Sequence, residues 1–242
     1  MQVKDHYNNH LGNFYAWMMG DFVEKQREQE AFFRENKIMP SPANVAIDLG
    51  AGHGLQSVSL ARLGFSVHAV DFSEKLLHDL QQNKGDLSIE PIQDDLINFI
   101  KNFGGKAALI VCMGDTVTHL ENLQQVELLI EEIANHLENQ GKVIFSFRDL
   151  TAAIQHEARF IPVRSDENRI LTCFLEYFSD HVLVHDILYE KQDGKWNQKI
   201  GAYPKLRFDA ALIEALLTKH KIQIIYSGLV NRMDYLIGEK IN

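Results

Sequence analysis

The sequence predicts an α/β fold, a mostly parallel sheet covered by helices on both faces. Three observations predict it. Short, near-continuous apolar runs alternate with helical patterns from residue 44 to residue 147, a glycine-rich turn joins the first run to the first helix, and the rhythm changes to paired strands after Asp149. Strands buried on both faces lose the in-and-out alternation of half-exposed ones, so their runs stay apolar.

Residues 1–40 are aromatic and polar, with Phe14, Tyr15, Trp17, Phe22, Phe32 and Phe33 spread among charges. Residues 20–35 read as a helix closed by Pro40-Ser41-Pro42. Val45-Ala46-Ile47-Asp48-Leu49 is the first strand and runs into Gly50-Ala51-Gly52-His53-Gly54. A helix over 55–63 and a second strand over 64–71 follow, and Ser73 is placed to cap a helix from Glu74. The third strand is 88–93 and the fourth 107–112. In the next helix Leu123, Val126, Ile130, Ile133 and Leu137 recur at 3-4-3-4 spacing, one apolar stripe, with Gly141 expected to end it before a fifth strand over 142–147.

Beyond Asp149, residues 170–178, 181–191 and 196–206 read as three antiparallel strands, with turn signals at Ser179-Asp180 and Asp193-Gly194. Asp209 caps a helix through Lys219 with Ala211, Leu212, Ala215 and Leu216 expected inward, and 222–229 and 234–239 are the last strands. The expected organisation is an N-terminal arm over 1–40, an α/β domain formed by 41–150 and 208–242, and an antiparallel β insertion over 151–207.

Composition narrows the function. The 242 residues carry 24 Lys and Arg against 33 Asp and Glu, a formal charge of −9. That leaves no bulk basic surface to neutralise a phosphate backbone, so nucleic acid is disfavoured as a partner. The first thirty residues have no apolar signal core, and no stretch approaches the roughly 20 apolar residues of a membrane span. Cys112 and Cys173 each lie in an apolar run and read as reduced core thiols. The expectation is a cytoplasmic protein without membrane contact. His6 and His10, and His181 and His185, are spaced to share a face, but neither pair has a clustered third ligand, so no metal is expected.

The chemistry-bearing feature is Asp48-Leu49-Gly50-Ala51-Gly52-His53-Gly54 between a strand and a helix. Glycines there let the backbone approach a ligand, and the helix start offers free N–H donors. A dinucleotide fingerprint needs a small residue where Leu55 stands, and no phosphate-cradling lysine follows. Asp71 ends the second strand, and Asp94-Asp95-Leu96 the third. Read alone, Asp71 suits either of two nucleotide-type riboses, and Asp94 and Asp95 also suit a helix cap.

The D-L-G-x-G-x-G run, Asp71 and Asp94-Asp95 in that order resemble the class I S-adenosylmethionine-dependent methyltransferases. The chain is similar within these to glycine and sarcosine N-methyltransferases. Met18-Met19-Gly20-Asp21, the run from Val111 to Leu120, Phe147-Arg148-Asp149 and Tyr203-Pro204-Lys205 carry that likeness. It implies a Rossmann-like sheet of seven strands, the last antiparallel, with the insertion covering the site.

The resemblance also implies roles. S-adenosyl-L-methionine would be the cofactor and S-adenosyl-L-homocysteine the product. Gly50, Ala51, Gly52 and Gly54 with Asp48 would form the cofactor loop, and Asp71 would accept from the ribose hydroxyls. Asp94 or Asp95 would meet the adenine amino group, with Phe72 and Leu96 covering the ring. Met113 and His119 would lie near the amino-acid end, and Tyr15 in the arm would close over the sulfonium as part of a lid. Arg148 would clamp a substrate carboxylate, unless it pairs with Asp149. Asp115, where the family has asparagine, would favour an ammonium or hydroxyl, and Asp115 or His119 would accept a proton from such an acceptor. The family's tyrosine pair is replaced here by Pro162-Val163.

The segment after Val111 lacks the Pro-Pro-aromatic run of nucleobase amino-methylating enzymes, and only Glu121 follows in that loop. A small-molecule acceptor, an amine or amino acid, is therefore expected. Two alternatives stay open on sequence: a non-catalytic module that binds the cofactor or its product, and a nucleotide-dependent oxidoreductase using the same glycine loop.

Overall fold

The computed structural model describes residues 3–41 and 44–241. Pro42, expected to help close the first long helix, lies outside the described residues. The arm is more regular than its composition suggests. It carries α1 (Val3–Asn9), a 3-10 turn at Leu11–Asn13 and α2 (Tyr15–Met19) before α3 (Phe22–Glu35). Asp21 caps α3 by accepting from Glu24 N–H at 2.9 Å, which sets its start two residues later than glycine punctuation alone predicts.

Strands and helices then alternate as β1 (Val45–Leu49), α4 (Leu55–Arg62), β2 (Ser66–Asp71), α5 (Glu74–Lys84), β3 (Ile89–Gln93), α6 (Leu96–Asn102), β4 (Ala107–Cys112), α7 (Leu123–His136) and β5 (Leu137–Phe147). A second sheet holds β6 (Phe160–Ser165), β7 (Arg169–Tyr177), β8 (His181–Gln192) and β9 (Lys195–Leu206). The chain returns through α8 (Ala210–Lys219), β10 (Ile222–Val230) and β11 (Met233–Lys240).

The main sheet has the order β10-β11-β5-β4-β1-β2-β3. Only β11 runs against its neighbours, antiparallel to both β5 and β10. Chain order reverses between β1 and β4, and that switch point opens a crevice at the carboxyl ends of the strands. Neighbouring residues of each strand feed opposite layers. Ile47, Leu49, Ile110, Val143 and Phe145 pack with α6, α7 and α8, whereas Ala46, Val67, Leu109, Val111 and Ile144 pack with α3, α4 and α5.

The second sheet is fully antiparallel, and its inner face meets the arm. Leu11 and Phe14 pack on Leu171 and Leu188. Gly201 in β9 makes that approach possible, because a Cβ there would stand 2.6 Å from both the His6 and His10 rings. Trp17 Nε1 donates to Asp166 Oδ2 at 2.5 Å, tying α2 to the turn between β6 and β7.

Four local expectations are corrected. The α7 stripe begins at Val126, since Leu123 is 45% exposed in the first turn. Leu137 is buried but opens β5, so the helix ends at His136 and Gly141 sits inside an irregular stretch of that strand. In α8 Leu212 and Leu216 pack partly buried against the core as expected, but the fully buried residues are Ile213 and Leu217, and Ala211 and Ala215 face solvent. The sequence also hid β6, whose side chains are mostly exposed and so carry little periodic signal.

Candidate active site

The glycine loop leaves β1 and turns back over β2. Val70 O accepts from Gly50 N–H at 2.8 Å and Ala51 N–H at 2.9 Å. Gly50 takes φ +80°, and a Cβ there would lie 2.3 Å from Thr116 Cγ2, so both conformation and space require glycine. Gly52 N–H donates to Asp71 Oδ2 and Ser73 N–H to Asp71 Oδ1, each at 2.8 Å. Burial pushes the Asp71 carboxyl up to about 6, against the opposing pull of those donors.

A cavity of about 830 Å³ opens beside this loop and runs between the two sheets. That is near the upper end of the roughly 300–1,000 Å³ range for one ligand, so it has room for a cofactor and an acceptor. Tyr15, Gly50, Ala51, Gly52, Asp71, Phe72, Asp94, Asp95, Leu96, Met113, Asp115, His119 and Arg148 all line it. Parts of the chain up to 133 residues apart are thus gathered on one cavity.

Two sequence-predicted cofactor residues do not line it. Asp48 is 1% exposed, and its carboxylate accepts from Ser57 Oγ at 2.5 Å inside the fold. Burial lifts it to about 7, so it braces the start of α4 rather than facing a ligand. Gly54 is the residue before α4, and the direction of its absent side chain meets Leu80 Cγ at 2.8 Å. Asp95 caps α6 through Oδ1, which accepts from Ile97 and Asn98 N–H at 3.0 Å, and its Oδ2 has no partner among the described residues. Asp94 is the more engaged of the two, its Oδ1 accepting from Asp95 N–H at 2.8 Å and both its oxygens from the Asn98 amide at 2.9 and 3.0 Å.

The expected roles of Asp115 and Arg148 change. Arg148 pairs with Asp115 rather than Asp149, whose carboxylate instead accepts from Thr151 N–H at 2.7 Å. Asp115 Oδ1 also accepts from Arg148 N–H at 2.7 Å, and its Oδ2 from Lys205 Nζ at 2.8 Å. Burial alone would raise this carboxyl, but Lys205 and Arg148 hold it well below the ordinary carboxylate range. A carboxylate so held is a poor proton acceptor, and its oxygens are occupied. Asp115 itself adopts a left-handed backbone, φ +75°, while its N–H donates to Ser146 O at 3.0 Å.

His119 is the other proton-acceptor candidate. Burial, helped by Lys205, pushes its imidazole down to about 3, so it is neutral near pH 7. The Tyr7 hydroxyl stands 3.4 Å from His119 Nε2, and His119 Nδ1 is buried without a partner. Tyr7 and Tyr203 flank the ring at centroid distances of 5.7 and 5.5 Å.

Sequence reasoning missed Lys205, Asp186, His6 and Tyr203. Asp186 is 1% exposed, its Oδ2 2.9 Å from His6 Nε2 and its Oδ1 3.1 Å from Cys173 Sγ. One signal was present. Val182, Val184, Asp186 and Leu188 alternate on the buried face of β8, so an acid in that row marks an interior polar site. Nothing comparable announces that Lys205 meets Asp115.

Among the described residues no helix is long and apolar enough to cross a membrane. Residues 46–141 match the family model of a methyltransferase domain. The chain is 24% identical over 156 residues to a glycine/sarcosine N-methyltransferase of Halorhodospira halochloris, a match covering 63% of this chain and 58% of that relative. In structure it is similar to the CcbJ methyltransferase of Streptomyces caelestis, with TM-score 0.80, 14% identity and 99% of each chain covered. It is also similar to S-adenosylmethionine-bound CalS10, an amino pentose methyltransferase of Micromonospora echinaspora, with TM-score 0.70, 12% identity, and 93% and 94% coverage. Residues 46–141 thus match a methyltransferase domain, within a chain whose fold is that of solved S-adenosylmethionine-dependent methyltransferases.

Proposed function

We propose that this protein transfers a methyl group from S-adenosyl-L-methionine to a small-molecule nitrogen acceptor, an amine or an amino acid. The observation that carries the reading is the glycine loop locked to Asp71 beside a cavity with room for a second molecule. The residues fit the cofactor. Asp71 would offer its remaining lone pairs to ribose hydroxyls, Phe72 and Leu96 would cover a flat ring, and of the Asp94-Asp95 pair Asp95 Oδ2 would be the oxygen left to accept from the ring's amino group. Tyr15 stands over Gly52, 3.6 Å from where its Cβ would be, so the arm roofs the loop.

When bound, the cofactor supplies an electrophilic methyl on a sulfonium, which is already a good leaving group. The chain's part is alignment and exclusion of water. Tyr7, Tyr15 and Tyr203 wall the cavity with rings, and His119, held neutral by burial and too weakly basic to take a proton from an ammonium, would orient an acceptor that arrives as the free amine. Arg148, half exposed toward the cavity and anchored at Asp115, has further N–H donors for an acceptor carboxylate. The likeness to a glycine/sarcosine N-methyltransferase supports nitrogen as the acceptor atom.

Calorimetry with S-adenosyl-L-homocysteine, paired with mass-spectrometric detection of product over an amine and amino-acid panel, tests this. Binding with turnover is expected. Binding of a nicotinamide dinucleotide with no response to S-adenosyl-L-homocysteine would overturn the reading, and so would cofactor binding with no methylated product.

A further inference from the structure

Lys205 is 9% exposed, and among the described residues its ammonium has one hydrogen-bond partner, Asp115 Oδ2. An ammonium carries three donors, so two N–H groups stand at the cavity wall without an acceptor. Arg148 donates to the same carboxylate from the other side. Two cations, the buried Lys205 and the half-exposed Arg148, thus share one anion and leave one positive charge in excess at the cavity wall.

Asp186, the buried acid of the insertion, does not cancel it. Asp186 pairs across the sheet with Gly201, four residues along β9 from Lys205. At about 3.3 Å per residue that is roughly 13 Å. Both Asp186 oxygens are also engaged, by His6 and Cys173. The excess positive charge therefore sits on the insertion's wall of the cavity, where Lys205 Nζ stands 5.9 Å from the centroid of the Tyr203 ring.

We propose that Lys205 determines acceptor specificity: its ammonium, held by Asp115 next to Arg148, binds a single carboxylate carried by the acceptor. The proposal rests on the methyltransferase reading and sharpens it. It also inverts the expectation for Asp115. With both oxygens taken, Asp115 does not receive an acceptor ammonium but orients the cation that receives an acceptor anion. One excess charge matches a monoanion, and aligned N–H donors match a planar carboxylate.

The test uses the full chain loaded with S-adenosyl-L-homocysteine. Amino acids, each paired with its own carboxamide, are titrated by calorimetry. The wild type is expected to bind the acid at least tenfold more tightly than the amide. Lys205→Met is expected to weaken acid binding roughly tenfold to a hundredfold, the size of a charge-assisted contact, and to leave the amide unchanged. Lys205→Arg, which keeps the charge, should retain the preference and so controls for misfolding.

An unaltered acid preference in Lys205→Met overturns the proposal. Loss of S-adenosyl-L-homocysteine affinity in Lys205→Met, but not in Lys205→Arg, overturns it too, by assigning the lysine to the cofactor. If the loaded wild type binds neither member of any pair, the carboxylate specificity is wrong while the cofactor reading stands. If S-adenosyl-L-homocysteine itself does not bind, the methyltransferase reading fails first.

Discussion

Asp48 and Asp71 end neighbouring parallel strands, yet their carboxylates serve different partners. Asp71 is held by two backbone N–H groups at the cavity, and Asp48 by a serine hydroxyl in the interior. The difference is testable by pH. A carboxyl lifted to about 6 must be ionised to accept from ribose hydroxyls. Affinity for S-adenosyl-L-homocysteine is expected to fall by up to about tenfold per unit below pH 6, and Asp71→Asn should weaken binding and flatten that dependence in calorimetry. Asp48 predicts a stability effect instead. Its native value of about 7 exceeds the unfolded one, so the native state binds more protons across the interval. Its stabilising contribution is present at low pH and is lost as pH rises from about 4 to 7, by up to about 1.4 kcal/mol per unit. Asp48→Asn keeps an acceptor for Ser57, and urea titrations should show it gaining on the wild type as pH rises through that window.

At the scale of the element, α7 shows what periodicity conveys. The spacing at 126, 130 and 133 comes from one buried stripe, and those side chains are fully enclosed. Leu123 has the right spacing but precedes the place where the helix meets the sheet. Ile130→Ala is expected to cost about 2–5 kcal/mol and Leu123→Gln less than about 0.5, read from denaturation midpoints. The second sheet depends on a different constraint. Gly201 has no signal of its own in the sequence, and its need for a missing side chain arises only because α1 lies across β9. Gly201→Val is expected to push His6 off Asp186, costing about 1–3 kcal/mol and exposing the arm to protease.

At the scale of the whole molecule, three separated segments close one cavity. The arm supplies Tyr7 and Tyr15, the parallel sheet supplies the glycine loop and Asp71, and the insertion supplies Lys205, Asp186 and Tyr203. A ligand that touches all three couples them. S-adenosyl-L-homocysteine is therefore expected to slow proteolysis within the arm, and an unchanged cleavage rate at saturating ligand would argue against the arm as a cover. The charge of −9 is likewise resolved by position. Asp71 and Asp94 line the cavity, Asp48 is inside the core, and Asp115 is paired with two cations.

The alternation of strands and helices, the glycine loop and the acid after the second strand were legible in the sequence. Each rests on local physics: apolar periodicity, backbone conformations open to glycine, and strand ends fixed by neighbouring turns. The partners of Asp115 and Arg148, the burial of Asp48 behind Ser57, and the placing of Lys205 and Asp186 were decided only by tertiary structure. A side chain's charge state and partner depend on what lies across the cavity, and the chain distance from Asp115 to Lys205 carries no local signature. Sequence by itself thus determined the scaffold and the glycine loop, while packing of the insertion against the sheet decided which side chains face that loop across the cavity.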